Sequence, residues 1–142
     1  MALIAKIDPP IYMLRDGVAR VHARPYEKPS INAGDEVFIW TAETSGGHGL
    51  AAHGTVLTSE IMEFANTSGS GTHKELILDV ALSAQHCKQP LSLDQIAPDR
   101  DAPRATPTSA ISRVLYKHSL NKIVAIDPEV SAFVRSHFEE TR

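Results

Sequence analysis

The longest regular alternation of side-chain character runs over residues 74–82, where Leu76, Leu78, Val80 and Leu82 fall on one side and Glu75, Ile77, Asp79 and Ala81 on the other. A period of two belongs to a strand, so this segment predicts a central core strand. Residues 35–41 predict another, with Val37 and Ile39 on one face and Phe38 and Trp40 on the other, both faces meeting something. Residues 2–7 form a largely apolar run that stops at Asp8-Pro9-Pro10 and predict a buried first strand. Residues 48–57 predict a return strand that Gly49 and Gly54 weaken, marking a bulge or a close approach to another backbone or a ligand. Apolar and acidic positions keep alternating from Glu60 to Phe64. Residues 18–23 and 121–126 read as short strands, and residues 9–15 as one or two helical turns ending near Gly17.

Helical periodicity is clearest at the end. Asp127-Pro128-Glu129 gives an N-cap acid, a proline at the first helical position and an acid in the first turn. Val130, Phe133, Val134, His137 and Phe138 then recur at i, i+3, i+4, i+7 and i+8, an apolar stripe ready to dock. Thr108 reads as the N-cap of a helix to about Tyr116, with Ile111, Val114 and Leu115 facing a core. Residues 42–47, 66–72 and 97–107 read as loops, the last holding three prolines. With no internal repeat and no regular strand–helix–strand alternation, the pattern gives an α+β domain.

A length of 142 residues with 42% hydrophobic and 22% charged positions suits one domain with one core. No run approaches the roughly 18 apolar residues of a membrane helix, and the start lacks the pattern of a signal peptide, so the expectation is a soluble, cytoplasmic protein that does not engage a membrane. The single cysteine, Cys87, cannot form an internal disulfide and reads as a small buried hydrophobe. A net charge of −3 counts against a protein that coats nucleic acid electrostatically. Reading one flipped base needs only a local positive rim, which Arg100, Arg104, Arg113, Lys117, His118 and Lys122 supply. The plain alternative for that rim is a solvated basic face.

Several residues could carry chemistry. Trp40 ends a strand beside a small and polar loop, where an indole can stack on a planar base; the alternative is a core tryptophan. Thr41 and Ser45 offer hydroxyls, and Gly46 and Gly47 backbone amides, to a base edge. Arg113, Tyr116, Lys117 and His118 gather at a helix end, suited to holding phosphate and stacking or equally to balancing the helix dipole. Lys6, Arg20, His22, Arg24 and Tyr26 form a looser group for the mouth of the same pocket. His48 and His53 are spaced to point to opposite faces, and no metal-ligand spacing occurs, so neither metal nor cofactor is expected. Gly69-Ser70-Gly71 lacks the residues that complete a phosphate loop, and no catalytic motif stands out.

One ordered set of residues carries a resemblance: Gly34, Asp35, Val37 and Trp40, a loop, then Gly49, Leu50, Ala52, Gly54 and Val56. This resembles the EVE domain of the PUA-like superfamily, which also contains the YTH readers of methylated RNA. Residues 91–96 and 127–138 look like later family segments, whereas residues 2–7 lack the aromatic ring common in the family's first strand. The resemblance implies a PUA-like mixed β-barrel of about five to six strands flanked by two to three short helices. It implies a non-catalytic module that binds DNA or RNA carrying a modified, methylated base. Its ligand site would comprise Trp40, Thr41, Ser45, Gly46, Gly47 and His48, with Arg104, Arg113, Tyr116, Lys117 and His118 on the nucleic-acid backbone. Two other readings stay open: a small-molecule or nucleotide-binding barrel or small enzyme using the same pocket, and a protein-binding accessory domain.

Overall fold

Six of the strands lay one side chain in two against a single apolar interior, and that shared interior organises the molecule. The structure is a computed structural model that describes residues 2–25, 30–43, 46–83, 87–96, 106, 110–112 and 122–139. Its elements are β1 (Ala2–Ile7), β2 (Met13–Arg15), β3 (Val18–Pro25), β4 (Glu36–Thr41), β5 (Gly49–Ala65), β6 (Thr72–Leu82), α1 (Leu93–Ile96), β7 (Lys122–Ile126) and α2 (Pro128–Ser136). The strands form one mixed sheet in the order β2-β3-β6-β5-β4-β1-β7. A short parallel register, Arg24↔Lys122 and Pro25↔Ile123, also brings β3 against β7. The sheet therefore curls, and Leu3, Ala5, Val21, Val37, Ile39, Leu78, Val80 and Ile123 meet in its concave interior. A second apolar cluster lies on the outer side, where Ile4, Phe38, Trp40 and Val124 are covered by Ile96, by Ile111, by Val130 and Val134 of α2, and by Phe138 just beyond that helix. Every residue of β1 is buried because β1 serves both clusters.

The strand pattern in the sequence is well kept. β1, β4, β6 and β7 lie where the apolar alternation puts them, and β4 divides as expected, Val37 and Ile39 inward, Phe38 and Trp40 outward. Gly54 faces a close backbone approach, since a Cβ there would lie 2.7 Å from Val80 Cγ1 and against the Ala81 carbonyl oxygen. The register shifts leave one extra residue at Ala51, between the pairs Ile39↔Ala52 and Trp40↔Leu50, and another at Leu57, between Val56 and Thr58, so both bulges lie on β5 and the first falls between the two glycines.

Two expectations are corrected. Residues 13–15 are not helical; they form β2 and pair with β3 across Asp16-Gly17, a dipeptide that fits a tight hairpin with Gly17 at φ 74°. The strand count is thereby seven among the described residues, one more than expected. The helix expected from Thr108 is represented by residues 110–112, which are helical and bury Ile111; the rest of it lies outside the described residues.

Candidate functional site

The outer side of the sheet carries two chemically opposite ends. At one end, Lys122, Lys6, Trp40 and Leu50 are successive register partners on β7, β1, β4 and β5, so their side chains share one row. All four are buried, Lys6 at 2% exposure and Lys122 at 3%. Two neighbouring lysines in that setting are unusual, because fully buried lysine is rare. Burial pushes the Lys6 ammonium below its ordinary value, Lys122 adds to that depression, and Asp8 opposes it. Burial alone depresses Lys122.

The loop beside this row is closed by its own hydrogen bonds. The Thr41 hydroxyl accepts from the His48 amide at 3.0 Å and donates to the Gly49 carbonyl at 3.2 Å. Gly47 N–H donates to the Ala42 carbonyl at 2.8 Å, and Gly46 N–H to that of Glu43 at 3.1 Å. A side chain at Gly47 would lie 2.6 Å from the Thr41 carbonyl carbon, and Gly49, at φ 86°, is pressed against the Leu91 carbonyl. The Leu50 amide donates to that same carbonyl at 2.9 Å, which ties β5 to the segment before α1.

These bonds decide the fate of the expected ligand set. Trp40 is completely buried in the outer cluster, the core placement that is one of its two readings from sequence. Thr41, Gly46 and Gly47 spend the groups expected to meet a base edge on the loop itself, whereas His48 is exposed at its lip. Ser45, Arg104, Arg113, Tyr116, Lys117, His118 and Tyr26 lie outside the described residues, as do Arg100 and the side chain of Arg24.

Where β1 ends, a cavity of about 270 Å³ opens beside Ile7, Asp8, Pro10, Tyr12, His22 and Glu75. Tyr12 is 61% exposed and offers a ring at its edge. Arg20, another lining residue, is held by Asp79 through Nε to Oδ1 at 2.8 Å and Nη2 to Oδ2 at 3.1 Å. That bond raises the guanidinium's pKa and lowers the Asp79 carboxyl, so the two charges cancel locally. His22 lies 3.5 Å from Glu75 and stacks near Phe64, which stacks in turn on His73. Glu75 also lies 3.5 Å from His73, so its carboxylate stands between two imidazoles, and Asp8 lines the same cavity. The looser group named from sequence is thus divided: Arg20 and His22 line this cavity, and Lys6 belongs to the buried row. Tyr12 and Glu75 went unread, since nothing in the alternation marks either as special. Lys6 had a signal, as the lone charge in a six-residue apolar strand.

At the opposite end of the outer side lies a cavity of about 600 Å³ that Ala2, Gly34, Glu36, Asp127, Ser131 and Arg135 help to line. Arg135 grips Glu36 with two bonds, Nε to Oε2 at 2.9 Å and Nη2 to Oε1 at 2.5 Å. His53 Nε2–H donates to Glu36 Oε2 at 2.8 Å. Arg135 first, then His53, holds the Glu36 carboxyl below the ordinary glutamate value against the opposing effect of burial. The His53 ring stacks on Phe38 at 4.9 Å and leans on Phe138 at 5.4 Å, leaving Nδ1 buried with no partner among the described residues.

Neither a family model nor a curated protein matches this sequence. Among solved structures, the chain aligns with the DUF55 domain of human thymocyte nuclear protein 1 over 98% of its own length and 99% of that chain, with a TM-score of 0.60 at 14% identity. It aligns with human THYN1 protein in complex with 5-methylcytosine containing DNA over 99% of each chain, with a TM-score of 0.58 at 15% identity. The likeness is one of fold.

Proposed function

We propose that the chain is a non-catalytic nucleic-acid-binding module for a modified base, with methylated cytosine in DNA as its first substrate and methylated RNA as the class to compare. The observation that carries this reading is the end-to-end fold likeness to a chain solved with 5-methylcytosine-containing DNA. The EVE-type strand motifs support it, and with them we assign the curled sheet to the PUA-like barrel shared with YTH readers. The base would enter the cavity at the end of β1. A carboxylate accepts well from the exocyclic amine of cytosine, and Asp8 and Glu75 stand there; Ile7, Val21 and Pro10 supply apolar surface for a methyl group. Tyr12 would stack, Lys6 and Lys122 would add positive field behind the site, and Arg104, Arg113, Tyr116, Lys117 and His118 would contact phosphate. Trp40 then acts as the rigid floor rather than as the stacking ring.

The test is a fluorescence-anisotropy titration of single-stranded and duplex oligonucleotides that differ only in cytosine methylation, with RNA versions alongside. The methylated DNA should bind more tightly, and Tyr12→Ala should weaken it by about 1–3 kcal/mol without changing the melting temperature. Equal affinity for both oligonucleotides, or a preference untouched at Tyr12, rejects the reading. The runner-up is a small-molecule site, favoured by the 600 Å³ cavity, whose size is ordinary for ligand pockets. Nucleosides that raise the melting temperature while oligonucleotides do not bind would select it.

A further inference from the structure

The hairpin of β5 and β6 runs well past its neighbours. β4 leaves β5 at Glu36↔Thr55, and two bonds finish the contact, Val56 N–H to the Asp35 carbonyl and Gly34 N–H to the Val56 carbonyl, both 2.8 Å. β6 continues beside β5 to Ala65↔Thr72. From residue 57 onward the outer edge of β5 has no strand partner among the described residues, and residues 57–63 are all exposed. A strand normally hides alternate residues, so seven exposed in succession mark a segment open on both faces and along its edge. Leu57, Ile61 and Met62 lie there at 39%, 62% and 41% exposure. The tip of the hairpin is closed by hydrogen bonds. Asn66 N–H donates to the Gly71 carbonyl, Asn66 Nδ2 to the Ser70 carbonyl at 2.8 Å, and Thr72 Oγ1 to Glu63 Oε1 at 2.6 Å. Natural edges of this length usually carry proline or lysine that discourages pairing, and residues 57–65 have neither.

Because Asn66 bonds inward across the hairpin, alternation turns the N–H and C=O groups of Ser59, Ile61 and Glu63 outward. We propose that this edge pairs antiparallel with the same edge of a second copy of the chain, about a two-fold axis at Ile61. That register is self-complementary. Ile61 meets Ile61 of the second copy, Met62 meets Glu60, Glu63 meets Ser59, and Phe64 meets Thr58, so no two acids lie directly opposite. The outward groups of residues 59, 61 and 63 then exchange hydrogen bonds across the axis, and the two sheets become continuous. The inference stands apart from any ligand.

Sedimentation of the full chain without nucleic acid tests it over a concentration series. A monomer–dimer equilibrium is expected, which Ile61→Lys weakens at least about tenfold by setting two ammonium groups face to face, with the melting temperature unchanged in dilute solution where both chains are monomeric. In a Cys87→Ser background, Ile61→Cys should form a disulfide-linked dimer on mild oxidation, because directly opposed hydrogen-bonded residues have Cα atoms about 5.5 Å apart. Leu57→Cys should not, since its partner across the axis is Ala65. A chain that stays monomeric throughout, a dimer indifferent to Ile61→Lys, or linkage at position 57 in place of 61 overturns the proposal.

Discussion

The two ends of the sheet's outer side use the same strands to opposite purpose. At the α2 end a carboxylate, Glu36, is gripped by Arg135 and His53, and the three are matched in charge and geometry. At the other end two lysines share a row with an indole and a leucine, and burial works against both ammonium groups. A fold selected for stability alone has little reason to keep such lysines, as apolar residues of similar volume would pack without the desolvation cost. The contrast is between an end where opposite charges hold one another and an end where burial opposes the charge of two ammonium groups.

Four variants sharpen or break this contrast. The largest effect is expected from Trp40→Ala, which should lower unfolding free energy by about 3–5 kcal/mol in denaturant titration, because a filled core position becomes a cavity. A small stability loss combined with lost binding would instead return the indole to the ligand. Gly49→Ala should cost about 1–3 kcal/mol, through its left-handed backbone and the contact with Leu91, and should loosen the loop at the lysine end. Glu36→Gln should cost about 1 kcal/mol at neutral pH, the partial exposure of the pair keeping the figure low. Its pH signature is sharper. A carboxyl depressed in the folded state contributes stability that is present above its unfolded value and lost as pH falls through the folded one, so the wild-type chain should lose more stability than Glu36→Gln on acidification below about pH 5. The smallest effect belongs to the lysines. Their depressed folded values mean that the unfolded chain binds more protons in the alkaline range, so wild-type stability should rise there with pH. The Lys6→Met, Lys122→Met double variant should be at least as stable at neutral pH and should lack that rise, as thermal melts between neutral and alkaline pH will read.

Much of this architecture was legible in the chain because strands report themselves by alternation. Val37 and Ile39 against Phe38 and Trp40, or Leu76, Leu78 and Val80 in series, leave little freedom about which side meets a core. Residues 13–15 misled for a physical reason: a three-residue strand has too few positions to display a period, and its pairing is set by Asp16-Gly17 rather than by hydrophobicity. The site was harder to read. The strand containing Trp40 was legible, yet whether its ring meets solvent depends on what α1, α2 and residues 110–112 lay over it, and such long-range cover leaves no local trace. Thr41, Gly46 and Gly47 had the right chemistry for a ligand and use it within the loop, on Ala42, Glu43, His48 and Gly49. Glu36, His53 and Arg135 come together from three separate elements, and nothing in their spacing announces the meeting.

The strand order has a kinetic corollary. β1 is flanked by β4 and by β7, whose Ile126 sits opposite Ala2, so one side of the first strand is filled only by a segment from the far end of the domain. Contacts of such separation close late and slow the overall reaction, whereas the β5–β6 hairpin needs only its neighbour in sequence. Until β7 arrives, β1 has one unzipped edge and both apolar clusters are incomplete, Val124 missing from the outer one and Ile123 from the inner.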